Sequence, residues 1–151
     1  MIRLTNLADY AVVLMGALAR ADHRLCAAEL AGETGLPAPT VSKILGAVTR
    51  AGLAVSHRGM KGGFALSRPA SEISIADVIE AVDGPIALVH CIEAAPGDCD
   101  FEQVCAMRTH WQLINEAVRS GLAGISLADI AAAPPPPAAL AAAARRPEGR
   151  A

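Results

Sequence analysis

The stretch that most limits what this chain can fold into is Arg58-Gly59-Met60-Lys61-Gly62-Gly63, set between the two short β-prone runs of "LAVSHRGMKGGFALS". Such a glycine-dense, basic hexapeptide between strand-forming runs reads as a hairpin with a flexible tip. What precedes it matters as much. "LCAAELAGETGL" reads as a short helix that stops at Gly35. "PAPT" then fixes a turn with Pro37 and Pro39 and opens a further helix, whose buried face is Val41, Ile44, Leu45 and Val48 and whose end is Gly52. Two short helices joined by a tight turn, the second with an outward row of Thr40, Ser42, Lys43, Thr49 and Arg50, make a helix-turn-helix. By itself that pair fits an ordinary antiparallel helix pair with a solvated face equally well. A hairpin directly behind the recognition helix is the wing of a winged helix, and this order of elements favours DNA binding. The glycines let the backbone approach a phosphate closely, and Arg58 and Lys61 supply the charge.

Upstream, Leu4, Leu7, Ala11, Leu14 and Leu18 recur at helical spacing, which predicts an amphipathic first helix from about Thr5 to Ala21. Its longest apolar run, "YAVVLMGALA", is too short to cross a bilayer, and the N-terminus lacks a signal-peptide pattern. The expectation is a cytoplasmic protein with no membrane partner. Downstream of the wing, Ser74 caps a brief helix that ends at Gly84-Pro85. From Phe101 onward, Val104, Met107, Trp111, Ile114, Val118 and Leu122 keep a near-heptad spacing over about six turns. That stripe must be buried, either against the same helix of a second subunit or against the chain's own first helix. "ISLADI" predicts a last short helix, and from Ala131 the Ala/Pro-rich sequence is low in complexity. The predicted fold is mainly α: a winged helix-turn-helix with a small β-hairpin wing and a long C-terminal dimerisation helix. The expected organisation is a DNA-binding unit over 1–70, a cysteine loop with the dimerisation helix over 71–130, and a disordered tail over 131–151.

Charge follows this division. Residues 1–70 carry eight Lys/Arg against four Asp/Glu, a net of +4, while residues 71–130 carry two against ten, a net of −8. A basic half meeting a polyanion and an acidic half serving something else is the simplest reading, because the field that steers DNA is local. Lys43, Arg50, Arg58 and Lys61 are the expected phosphate contacts, with Thr40 and Ser42 in reach of base edges.

The acidic half holds three of the chain's four cysteines, Cys91, Cys99 and Cys105, spaced C-x7-C-x5-C in a loop rich in Gly, Pro and Asp. In a reducing cytosol, clustered thiols are metal ligands or redox groups more often than disulfides. Structural zinc usually has four ligands in short paired spacings, whereas three loop thiolates beside a helix N-terminus suit an iron–sulfur cluster. Cys105 is expected in the first turns of the long helix. Cys26, among Leu and Ala, reads as a buried small residue. For a fourth ligand, Arg108 is unsuited because a guanidinium stays protonated. His110 points further round the helix and His90 adjoins Cys91. Asp9 in the first helix is the other candidate, although a surface acid or helix partner is the ordinary role for an Asp there. No nucleophile–base pair and no phosphate-binding glycine motif suggests an enzyme.

The segments "IRLTNLADYAVVLM", "GLPAPTVSKIL" and "SHRGMKGGFALSRPASEISIADVIEAVDGP", with the cysteine triad, resemble the iron–sulfur winged-helix regulators of the IscR, NsrR and RirA type. The resemblance spans about 1–130. "MIRLTNLADY", "DGPIALVHCIE" and "GDCDFEQVCAMRTHW" are most similar to regulators of the SUF iron–sulfur assembly operon. The resemblance implies a homodimer on a palindromic operator with a cluster on each subunit, held by Cys91, Cys99 and Cys105. IscR-like members use a histidine three residues after the last cysteine, where this chain has Arg108. NsrR-like members use an aspartate in the first helix, contributed across the dimer, and Asp9 matches it. That match favours a 4Fe–4S over a 2Fe–2S cluster. The implied activity is repression of SUF-type genes by the cluster-loaded form. The rivals are a nitric-oxide- or iron-status-responsive repressor of the same fold, or a DNA-binding module with a structural zinc.

Overall fold

The computed structural model describes residues 3–59, 61–89, 92 and 105–132. Helix α1 spans Asn6–Arg20; Thr5 caps it by accepting the Ala8 amide at 3.1 Å. The buried face of α1 is Ala8, Ala11, Leu14, Met15 and Leu18, in the three-four rhythm of the sequence. Helix α2 (Ala27–Thr34) ends at Gly35 with φ 72, a left-handed conformation that glycine adopts without strain. Helix α3 (Ala38–Arg50) starts behind Pro37 and buries Val41, Ile44, Leu45 and Val48.

A turn at Gly52 leads into β1 (Ala54–His57), which pairs antiparallel with β2 (Gly63–Leu66) in the register Ala54↔Leu66 to His57↔Gly63. Leu25, between α1 and α2, adds a single bridge to the other side of β2: its amide donates to the Phe64 carbonyl at 3.1 Å, and the Phe64 amide donates back at 2.8 Å. A single-residue bridge leaves no periodicity to read in a sequence.

A 3-10 turn at Ala70–Glu72 precedes α4 (Ile75–Asp83), where Ser74 and Asp77 form a reciprocal cap. Helix α5 covers Arg108–Ala123 and α6 covers Leu127–Ala132. Ala131 and Ala132, expected in the tail, are therefore helical. The rest of the expected tail, with Phe101 and Val104 of the predicted long helix, lies outside the described residues.

The core is continuous across residue 70: Ile73, Val78 and Leu127 are fully buried with Leu14, Met15, Leu30 and Ile44. Each such side chain contributes about 1.5–3 kcal/mol by leaving water. The α4 and α6 helices pack on α1, so the elements after the wing brace the helix beneath the recognition unit. Backbone bonds knit them: the Leu127 amide donates to Ile73 at 2.8 Å and the Ile75 amide to Ile125 at 2.9 Å. Among the described residues, no helix is long and apolar enough to cross a membrane.

Candidate nucleic-acid interface and cysteine segment

The buried stripe of α3 leaves the opposite side to solvent. Ser42, Lys43 and Arg50 are exposed there and Thr40 is half-buried. The Arg50 guanidinium lies back along the helix over Gly46, where an added Cβ would come within 3.2 Å of it. Thr49 is half-buried at the edge of this row. Its hydroxyl is buried and has no hydrogen-bond partner among the described residues. Thr49 lies one turn from Leu45 and seven residues after Ser42, and with both of them it lines an opening of about 270 Å³ against Ala27 and Phe64.

The wing holds Arg58 and Lys61 exposed on either side of the tip. Its backbone needs its glycines. Gly59 has φ 110, and the Gly59 carbonyl accepts the Gly62 amide at 2.9 Å. A Cβ on Gly62 would collide with the His57 carbonyl. The Gly62-to-Gly59 bond closes the turn, with the exposed Arg58 and Lys61 on either side of it.

Pairing separates the cations into two groups. Arg68 donates to the Glu72 carbonyl at 3.0 Å and lies 3.5 Å from Asp77; Arg119 is 2.9 Å from Glu80, whose carboxylate raises the Arg119 pKa above its ordinary value. These two arginines brace the fold. Lys43, Arg50, Arg58 and Lys61, like Arg3, Arg20 and Arg24 nearer the N-terminus, make no ion pair with any described residue. Uncompensated cations on one helix and one hairpin are what a phosphate backbone requires.

The cysteines divide differently from the sequence expectation. Cys26 is exposed, not buried. It caps α2: its sulfur accepts the Glu29 amide at 3.5 Å, while the Glu29 carboxylate accepts the Cys26 amide at 2.7 Å, which lowers the Glu29 pKa. A Cys in the place of a capping Ser gives no warning of this in composition. Cys105 is a free, half-buried thiol that stands ahead of α5 instead of within its first turns. The helical ladder starts at Met107, whose carbonyl accepts the Trp111 amide at 2.9 Å, and Cys105 lies in the preceding turn. Cys91 and Cys99 lie outside the described residues, as does His90. Asp9 is exposed in the first turn of α1. The structure therefore brings Cys105 to the mouth of α5 and Asp9 to the surface of α1, and it does not show the ligand set together. By donor chemistry a free thiol at a helix N-terminus fits an anionic cluster, since the unpaired amides there favour negative charge.

Sequence reasoning missed the side chains that anchor the approach to this segment. Asn115 is buried in α5, the single buried polar residue among those described. It binds the backbone of both Ile86 and Leu88, while the Glu80 carboxylate accepts the Ile86 amide at 3.5 Å. The available signal was a polar residue within an apolar stripe. In the single chain Met107 and Ile114 of that stripe are 47% and 42% exposed, Leu113 beside it is 67% exposed, and Trp111, Val118 and Leu122 are half-buried.

With this geometry in place, residues 4–133 match the Rrf2 family, described as an iron-dependent transcriptional regulator. The chain belongs to the Rrf2 family. Rv1287 of Mycobacterium tuberculosis is 37% identical to it over 132 residues, spanning 85% of this chain and 81% of that one. IscR of Yersinia pestis, an HTH-type transcriptional regulator, is 31% identical over 130 residues, spanning 85% and 78%. Among solved structures, CymR, the global cysteine regulator of B. subtilis, superposes with a TM-score of 0.67 at 25% identity, covering 87% of this chain and 97% of that one. An Rrf2-type winged helix is thus both the sequence and the structural match. The protein is a transcriptional regulator and not an enzyme, as its relatives are.

Proposed function

We propose that the protein is an iron–sulfur-dependent, homodimeric, cytoplasmic repressor of SUF-type cluster-assembly genes that binds a DNA operator through its winged helices. The observation that carries the DNA reading is the set of exposed cations on α3 and the wing, Lys43, Arg50, Arg58 and Lys61, which have no ionic partner among the described residues. Thr40 and Ser42, on the same helix, offer hydroxyls to base edges. The uncovered apolar side chains of α5 support a dimer formed by that helix, since an apolar stripe of this kind is ordinarily closed by a second copy.

The cluster reading rests on the thiol triad, the family's iron dependence and the similarity to IscR. Cys91, Cys99 and Cys105 would hold the cluster, with Asp9 of a second copy as fourth ligand to a 4Fe–4S centre. When bound, the group supplies a redox- and iron-sensitive link between ligands. The chain's own part is mechanical. Cys105 adjoins α5, α5 is tied to α4 through Glu80 and Arg119, and α4 packs on α1 beneath the recognition unit. A change in how Cys105 is held therefore alters the support of α3, and the resulting coupling between ligand state and DNA affinity is reciprocal.

The test is an anaerobic absorption spectrum with iron and sulfide counts, on the wild type and on Cys99→Ala. A brown protein whose visible band disappears in the variant supports the reading. An iron count of about four per chain points to 4Fe–4S and about two to 2Fe–2S. A colourless protein with one bound zinc, or DNA affinity indifferent to iron, overturns the sensor and leaves a DNA-binding module. Nitric-oxide titration of the brown form and identification of the bound operon separate the remaining signals.

A further inference from the structure

The wing does not stand alone. Leu25 pairs with Phe64 at its base, and Gly63 makes the approach so close that a Cβ there would lie 2.9 Å from the Leu25 carbonyl and 3.3 Å from the Arg24 Cβ. The Arg24 backbone is therefore held beside the wing by the hydrogen bonds of its neighbour Leu25, although the sequence separates it from Lys61 by two helices. Arg24 and Lys61 line one open cleft of about 920 Å³ between the end of α1, the start of α2 and the wing.

The charges of this cleft are mostly spoken for. Arg68 is held by Glu72 and Asp77, Glu29 by the Cys26 amide, and Asp22 by His23 at 2.7 Å. Arg24 and Lys61 have no ionic partner among the described residues. Both are exposed, and they face the same opening from its two sides.

We infer that Arg24 is a further contact to the DNA backbone, so that the α1–α2 connection and the wing grip the duplex as one unit. Its partner is a phosphate of the strand that Lys61 engages. The role is sequence-independent: an exposed guanidinium next to a backbone bridge positions the duplex and reads no base. Because the bridge ties Leu25 to Phe64, any tilt of the wing carries the neighbouring Arg24 backbone with it. The inference rests on the wing being a DNA contact, and the experiment keeps the two apart.

The full-length dimer is titrated with random-sequence duplex DNA over a range of salt, using the wild type, Arg24→Ala, Arg24→Lys, Arg58→Ala and Glu116→Gln. Each lost phosphate contact lowers the slope of log affinity against log salt by about 0.9. Arg24→Ala is expected to lower it by that amount, Arg24→Lys to keep it, and Glu116→Gln, which changes net charge on distant α5, to leave it unchanged. Unaltered melting of Arg24→Ala shows that the loss is not unfolding. An unchanged slope in Arg24→Ala with a reduced one in Arg58→Ala overturns the inference and leaves the wing reading intact. Unchanged slopes in both overturn the wing reading itself. A slope that rises in Glu116→Gln as much as it falls in Arg24→Ala assigns the effect to net charge and also overturns the contact.

Discussion

Asn115 holds Leu88 from another part of the chain: its Oδ1 accepts the Leu88 amide at 3.0 Å while its Nδ2 donates to the Ile86 carbonyl at 2.8 Å. One amide side chain thus imitates a neighbouring strand for the segment that leads from α4 toward Cys91. Asn115→Ala removes both bonds and leaves two partly buried backbone groups short of partners, a destabilisation of about 2 kcal/mol. Asn115→Asp keeps the acceptor for Leu88 but sets a carboxylate oxygen against the Ile86 carbonyl. That variant is expected to be as unstable as the alanine at neutral pH and to recover on acidification, when the protonated oxygen can donate again. Urea denaturation at two pH values checks this, and an alanine variant as stable as the wild type would remove the clamp.

Two glycines predict opposite outcomes for the same chemical change. Gly32, exposed in α2, has nothing within 4 Å of an added Cβ, so Gly32→Ala relieves a helix interior of glycine and stabilises by about 0.5–1 kcal/mol. Gly62→Ala drives a methyl into the His57 carbonyl and must open the wing turn. The strand register below the tip involves other residues, so the fold survives while the turn between Arg58 and Lys61 changes shape. Weaker DNA binding with a nearly unchanged melting temperature is the expected result. Binding equal to wild type in Gly62→Ala would show that the tip geometry is irrelevant to recognition.

Periodicity made the helices legible. The stripes through Leu14 and Leu18, and through Val41, Ile44, Leu45 and Val48, are the faces that the fold buries, and Gly35, Ser74 and Gly84 stop or start helices where the sequence predicts. The wing was legible because glycines between β-prone runs admit few alternatives. What stayed hidden depends on single contacts between distant residues. The Leu25 bridge is one residue long, Asn115 looks like an interruption in an apolar stripe, and Cys26 performs the work of a serine. Thr49 stands seven residues after Ser42 at the edge of the outward row, and helical spacing gives no sign that its hydroxyl is buried. The start of α5 after Cys105 is a boundary, which periodicity fixes only to within a few residues.

Thr49 carries its own prediction. The Thr49 hydroxyl is buried with no hydrogen-bond partner among the described residues, and burying a hydroxyl without one costs free energy. Valine has the same shape and branches at the same carbon. Thr49→Val is expected to stabilise the chain by about 1 kcal/mol, while Thr49→Ser keeps the unsatisfied oxygen, loses the methyl and destabilises. DNA affinity should not change in either, because the hydroxyl itself is buried. A loss of affinity in Thr49→Val with stability maintained would instead place the hydroxyl at the DNA.

The cleft beside the wing contains a titrating pair. The hydrogen bond to the Asp22 carboxylate, with its charge and those of Glu29 and Glu33, raises the His23 pKa above its ordinary 6.5, and the same bond lowers that of Asp22. A raised histidine value means that the folded state holds the proton more tightly than the unfolded one. The associated stability is present in full below about pH 6.5 and is lost as pH rises through the folded-state value. Both groups are exposed, so salt screens the pair and the effect on stability is small. The effect on DNA is more direct, because protonated His23 adds a positive charge next to Arg24 at the cleft. Ring-proton NMR is expected to give a His23 midpoint above 6.5 that falls back toward that value in Asp22→Asn. The salt slope for duplex DNA should steepen as pH drops through the same midpoint in the wild type, and at a lower pH in the variant. A slope that is flat with pH, while the NMR midpoint shifts as expected, would mean that the pair forms but that no phosphate comes near it.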